Sequence, residues 1–194
     1  GTDRKIVRRG VVLADARVEF ATDRVDCWIE VRPGAQKPLK SFERVEIDLG
    51  TVETAGSVVV LEPGDTLAPG SAGFCQVTLD REMILALGDR FVLRPQNGTR
   101  TSAGGVVVHP FAVRHASTER SVTERLARLR SSALPARVLA FHQLLPELAS
   151  PVAYAAQALG CTVEDVRRAA GGIPDLLALP GEPADAYALR ERWA

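Results

Sequence analysis

The chain has 194 residues, 46% of them hydrophobic and 25% charged, which excludes a largely disordered polymer and allows one large core or two small ones. Lys plus Arg number 24 and Asp plus Glu number 24, so net charge is zero. That argues against a global electrostatic grip on nucleic acid but leaves room for a local basic patch.

Residues 1–112 read as β. Strands are expected over 18–20 and 25–31, rich in β-branched and aromatic residues and followed by the turn pair Pro33-Gly34. Residues 45–49 alternate apolar and charged, as a strand buried on one face must. Beyond Gly50 a strand over 51–61 runs into the turn Glu62-Pro63-Gly64-Asp65. Residues 74–79 and 90–94 alternate again, and 106–108 closes the series before Pro110. About six short strands punctuated by Gly and Pro predict an antiparallel barrel or sandwich.

From residue 117 the grammar turns helical. Ser117-Thr118-Glu119 and Ser121-Val122-Thr123-Glu124 offer capping hydroxyls with carboxylates nearby. Val122, Leu126 and Leu129 then recur at helical spacing. A second helix is opened by Pro135 and carries Val138, Leu139, Phe141, His142, Leu144 and Leu145. A third follows Ser150-Pro151 and stops at Gly160; a fourth, capped by Thr162, covers 163–170 and stops at Gly171-Gly172. Residues 176–179 and 186–189, around the turn 180–183, supply two short strands. Helix, helix-turn-helix and hairpin predict a winged helix.

Chemistry-bearing motifs are missing. Gly-x-x-x-x-Gly-Lys-[Ser/Thr], Gly-x-Ser-x-Gly and His-Glu-x-x-His do not occur, and His109, His115 and His142 are scattered. Cys27, Cys75 and Cys161 are dispersed, with no Cys-x-x-Cys and no zinc spacing, so no metal site is expected and a reducing cytosol fits best. The apolar stretches are too short to span a bilayer, and residues 1–5 lack the apolar core of a signal peptide. Gly104-Gly105 reads most simply as a bend or bulge beside the last strand.

Three places could touch RNA phosphate. The first is the loop carrying Lys37 and Lys40; the second is Arg94 with Arg100 and Thr101, flanking the loop 95–99. The third is the helix with Arg120, Arg125, Arg128 and Arg130. For each, a merely solvated face is the competing reading. The fourth helix exposes Glu164 and Asp165 beside Arg167 and Arg168, the wrong sign for a helix that presents its first turn to a DNA groove.

The barrel half resembles the third domain of selenocysteine-specific translation elongation factors, itself similar to the last barrel of elongation factor Tu. The residues that carry the likeness are Arg9-Gly10-x-Val12-Leu13, Pro38-Leu39-Lys40 leading to Val45, Gly50-Thr51 and Leu67-Ala68-Pro69-Gly70. Gly88-Asp89-Arg90-Phe91-Val92-Leu93-Arg94 and Thr101 with Gly104-Gly105-x-Val107 complete it. The chain departs from the family's usual pattern at Val11, at Ser102-Ala103 and at His109, where an acidic residue is common.

The resemblance implies a multi-domain β-plus-α architecture. A six-stranded antiparallel barrel would occupy 1–112, with a junction from a preceding barrel at 1–14. An Arg-rich helical linker would follow at 113–133 and a winged helix at 134–194. It further implies a non-catalytic, monomeric, cytoplasmic piece of a factor that delivers selenocysteinyl-tRNA to the ribosome. GTP and Mg would sit on a GTPase domain absent from this chain, against which the barrel packs. Arg94, Arg100 and Thr101 fall where the family meets tRNA, with Lys37 and Lys40 secondary. Messenger-RNA hairpin recognition would belong to further winged helices lying outside this chain. The alternatives are another elongation factor Tu-class GTPase piece, or a DNA-binding regulator with a barrel sensor domain.

Overall fold

The structure, a computed structural model, describes residues 18–96, 100–115, 120–179 and 186–193. The junction at 1–14, the loop tip 97–99, the capping candidates 117–119 and the turn 180–183 lie outside the described residues.

Eight strands form in the first half: β1 (Thr22–Val31), β2 (Leu39–Lys40), β3 (Glu43–Leu49), β4 (Val52–Val60), β5 (Thr66–Leu67), β6 (Ala72–Met83), β7 (Arg90–Pro95) and β8 (Ala103–His109). Six of them close into a barrel in the order β1-β6-β4-β3-β7-β8, every neighbouring pair antiparallel. Alternation sets the inside. Val45, Ile47 and Leu49 of β3 are buried while Glu46 and Asp48 point out, and β1 places Val25, Cys27, Ile29 and Val31 in the same core. Closure leaves no barrel edge to attract another strand. β2 and β5 pair outside it as a two-residue ladder, Leu39 opposite Leu67, a feature too short to show in the sequence.

Gly104 and Gly105 correct an expectation. Both lie within β8 rather than at a bend, and the irregular register of β1 against β8 falls between Asp26 and Cys27 instead. Gly105 answers to close approach: a Cβ there would stand 2.5 Å from Cζ of Phe91 and 2.8 Å from the Trp28 carbonyl oxygen. The Phe91 ring occupies the space a side chain would need.

The second half comprises α1 (Arg120–Ser131), α2 (Leu134–Leu144), β9 (Ala149–Pro151), α3 (Val152–Leu159), α4 (Val163–Ala170), β10 (Leu176–Leu179), β11 (Ala186–Leu189) and α5 (Arg190–Trp193). Local chemistry explains the boundaries. Gly160 ends α3 in the left-handed region at φ 64°, and Thr162 and Asp165 form a reciprocal capping box that starts α4. The strands form a sheet in the order β10-β11-β9. β9 and α5 were not anticipated; three and four residues carry too little pattern to be read.

The two halves share a core. Phe74, Val108 and Phe111 of the barrel side are buried together with Val122, Leu126 and Leu129 of α1 and Phe141 of α2. The segment read as a linker is therefore a packed element. Its Arg130 guanidinium sits 4.4 Å from the centroid of Trp28, on the outside of β1. Tyr154 of α3 stacks on Phe111 with centroids 4.1 Å apart and meets Phe20 edge-on at 4.8 Å. Gln157 of α3 clasps the segment leading into β1: its Oε1 accepts from the backbone N–H of Glu19 and Phe20, and its Nε2 donates to the Phe20 carbonyl at 2.6 Å.

Beneath this contact lies a buried polar cluster. Gln76 Nε2 donates to Asp26 Oδ1 and to the Val113 carbonyl, both at 2.8 Å, and His115 Nε2 lies 2.8 Å from Asp26 Oδ2. These bonds pin the stretch after β8 against β1 and β6. Satisfied partners offset the desolvation of Asp26, which is fully buried.

Candidate nucleic-acid interface

Strand direction gathers the expected contact residues at one mouth of the barrel. β1 ends and β8 begins there, since Val31 pairs with Ala103; β3 begins and β7 ends there, since Val45 pairs with Pro95. The loop after β1, which leads through Lys37 to Lys40, and the loop after β7, which leads to Arg100 and Thr101, thus share a rim. Two bonds join them directly. The Arg32 backbone N–H donates to the Ser102 carbonyl at 3.0 Å, and its guanidinium donates to the Thr101 carbonyl at 3.3 Å.

The residues differ in what they can offer. Lys37, Lys40 and Arg100 are exposed, and their side chains make no ion pair with another described residue. Arg94 is committed elsewhere. Its Nη2 donates to Asp48 Oδ1 at 2.9 Å, its Nε lies 2.9 Å from Asp48 Oδ2 though off the hydrogen-bonding direction, and Glu46 Oε2 stands 3.7 Å away. The hydrogen bond to Asp48, with its charge and that of Glu46, makes the guanidinium hold its proton more firmly than usual. Its charge is thus shared between two carboxylates of β3. Arg94 therefore offers phosphate less than its position implied, because its partners lie on a strand over 40 residues earlier. Thr101 is half-buried, with its carbonyl already accepting from Arg32.

The Arg-rich helix is mostly structural. Arg125 donates to the Gln143 carbonyl at 3.2 Å and Arg130 lies over Trp28, while Arg128 remains exposed. On α4, Arg167 lies 3.9 Å from Glu164 and Arg168 lies 3.3 Å from Asp165, so each cation there faces a carboxylate of its own helix. Two rim features escaped the sequence reading. Arg32 follows an apolar strand and looks like any strand-end charge, and Phe42, which is 75% exposed, resembles a core residue by composition.

The site is therefore a closed antiparallel barrel whose loops present cations at one mouth, followed by packed helices. Residues 22–114 match the family of the beta-barrel domain of selenocysteine-specific elongation factors. The crystal structure of a bacterial selenocysteine-specific elongation factor, EF-Sec, superposes with a TM-score of 0.64 at 16% sequence identity. The match covers 97% of this chain and 27% of that one, so the chain spans about a quarter of that factor's length. No curated protein sequence matches the chain.

Proposed function

We propose that this chain is the part of a selenocysteine-specific elongation factor that touches the backbone of selenocysteinyl-tRNA during its delivery to the ribosome. The observation that carries it is the shared rim of a barrel of this family, where Lys37, Lys40 and Arg100 are exposed and free of carboxylate partners among the described residues. Few cations imply weak binding with a shallow salt dependence, roughly one unit of log–log slope per phosphate neutralised. Arg94 and Thr101 shape the rim rather than grip phosphate.

In this reading the chain has no catalytic step of its own. GTP and Mg belong to a GTPase domain, against which the barrel packs, and the setting is the cytoplasm. The helices from α2 onward, with the β9, β10 and β11 sheet, are a winged helix used as a spacer. The ion pairs within α4 favour this over a DNA reader, since they neutralise the helix that would enter a groove. Among the described residues no helix is long and apolar enough to cross a membrane.

The test is titration of the chain with selenocysteine tRNA, bulk tRNA and duplex DNA at several salt concentrations. The triple variant K37A/K40A/R100A should lose most tRNA affinity and flatten the salt slope. An unchanged affinity would remove the rim from consideration, and tight duplex DNA binding would revive the regulator reading.

A further inference from the structure

Phe42 joins two costs at one residue. Its ring is 75% exposed, and its backbone sits at φ 66°, a region that bulky L-residues rarely enter. Among the described residues only one other non-glycine has a positive φ, Asp65 at 52°. The two are neighbours: the Ser41 N–H donates to the Asp65 carbonyl at 2.9 Å. Strained residues grouped at one point on a surface mark places held for a purpose other than stability.

The surroundings hold the ring out firmly. The Phe42 N–H donates to the Val58 carbonyl at 2.6 Å, and the Ser41 hydroxyl accepts from the Val60 N–H at 2.9 Å. Glu43 accepts from the Lys40 N–H at 3.2 Å, and Leu39 and Leu67 bury themselves beneath the turn. A pinned backbone leaves little ordering entropy to lose when the ring meets a partner. Lys40 stands two positions before it in the same turn, and Lys37 begins the approach, both exposed. An aromatic face presented among unpaired ammonium groups fits a nucleobase, whose π-face stacks while its phosphates meet the cations.

Resting on the rim reading above, we propose that Phe42 is a stacking residue for an unpaired nucleobase of the bound RNA. Phe42→Gly is the informative variant, because glycine takes a positive φ without strain. It should keep or raise the melting temperature while weakening binding to a tRNA transcript at least fivefold, the low end of about 5- to 150-fold for losing one stacked base. Its affinity for a blunt RNA duplex should stay unchanged. Phe42→Trp should retain tRNA binding and add tryptophan emission that the tRNA quenches beyond any change in the parent chain.

Five results would overturn the assignment. A melting temperature lowered by more than about 4 °C in F42G would give the ring a structural role. Equal weakening on tRNA and blunt duplex would make it a backbone contact. Undiminished tRNA affinity in F42G, with K37A/K40A/R100A weakened, would sink Phe42 and spare the rim. Undiminished affinity in both variants, or no RNA binding by the parent chain, would remove both.

Discussion

At the scale of single residues, burial creates liabilities whose sign can be worked out. His109 is 1% exposed; its Nδ1 accepts from the Phe111 N–H at 3.1 Å, and its ring stacks on Phe141. Burial pushes its pKa from an ordinary 6.5 down to about 4, with the Asp26 carboxylate opposing and His115 assisting. Between those values the unfolded chain binds the proton that the folded chain refuses. Stability contributed by the neutral ring is whole above pH 6.5 and is lost as pH falls towards 4, by about 3 kcal/mol in all. His142 is shifted in the same direction by burial. Urea titrations from pH 4 to pH 7 should show this slope, and His109→Phe should flatten it. A curve equally steep in the variant would assign the effect to other groups. Gly105→Ala, with no room for its Cβ, should cost about 1–3 kcal/mol by the same assay, whereas Gly104→Ala should cost less. Similar losses at both glycines would contradict the packing account.

Elements were legible in proportion to how local their causes are. The bounds of α4 and of the strands β10 and β11 agree with those read from sequence, and for α4 the reason is local, since a capping threonine and a following glycine act within a few residues. Three barrel strands were legible from alternation and three from apolar runs bounded by turn residues. Residues 18–20, expected as a strand, form none, and β1 begins at Thr22. What was not legible depends on distant partners: β9 exists because it pairs with β11, and the commitment of Arg94 to Asp48 needs the β3–β7 register. Phe42 was hidden for the opposite reason, since only its backbone conformation and exposure set it apart from a core phenylalanine. Local causes make local predictions. Thr162→Ala removes the side-chain half of the capping box and should lower stability by about 1 kcal/mol. Thr162→Ser should restore most of it, and a silent alanine variant would show α4 to be held by packing alone.

At the scale of the whole molecule, the barrel and the helices should unfold as one cooperative unit. Phe20, Phe111 and Tyr154 form one aromatic cluster across the contact, and Gln157 ties α3 to the backbone before β1. Chemical denaturation should give coincident transitions by tryptophan fluorescence and far-ultraviolet circular dichroism. The double variant Y154A/Q157A should separate them, with the helical half melting first, as its own core is the smaller. Two transitions in the parent chain would mean that the shared core couples less than its burial suggests.

The Gln157 clasp also has a mechanical meaning. An amide side chain that both accepts from and donates to a neighbouring backbone behaves like a short stretch of extra strand, and it resists shear better than apolar contact alone. A displacement of α3 would therefore have to break three hydrogen bonds to residues 19 and 20 as well as the aromatic packing around Phe20.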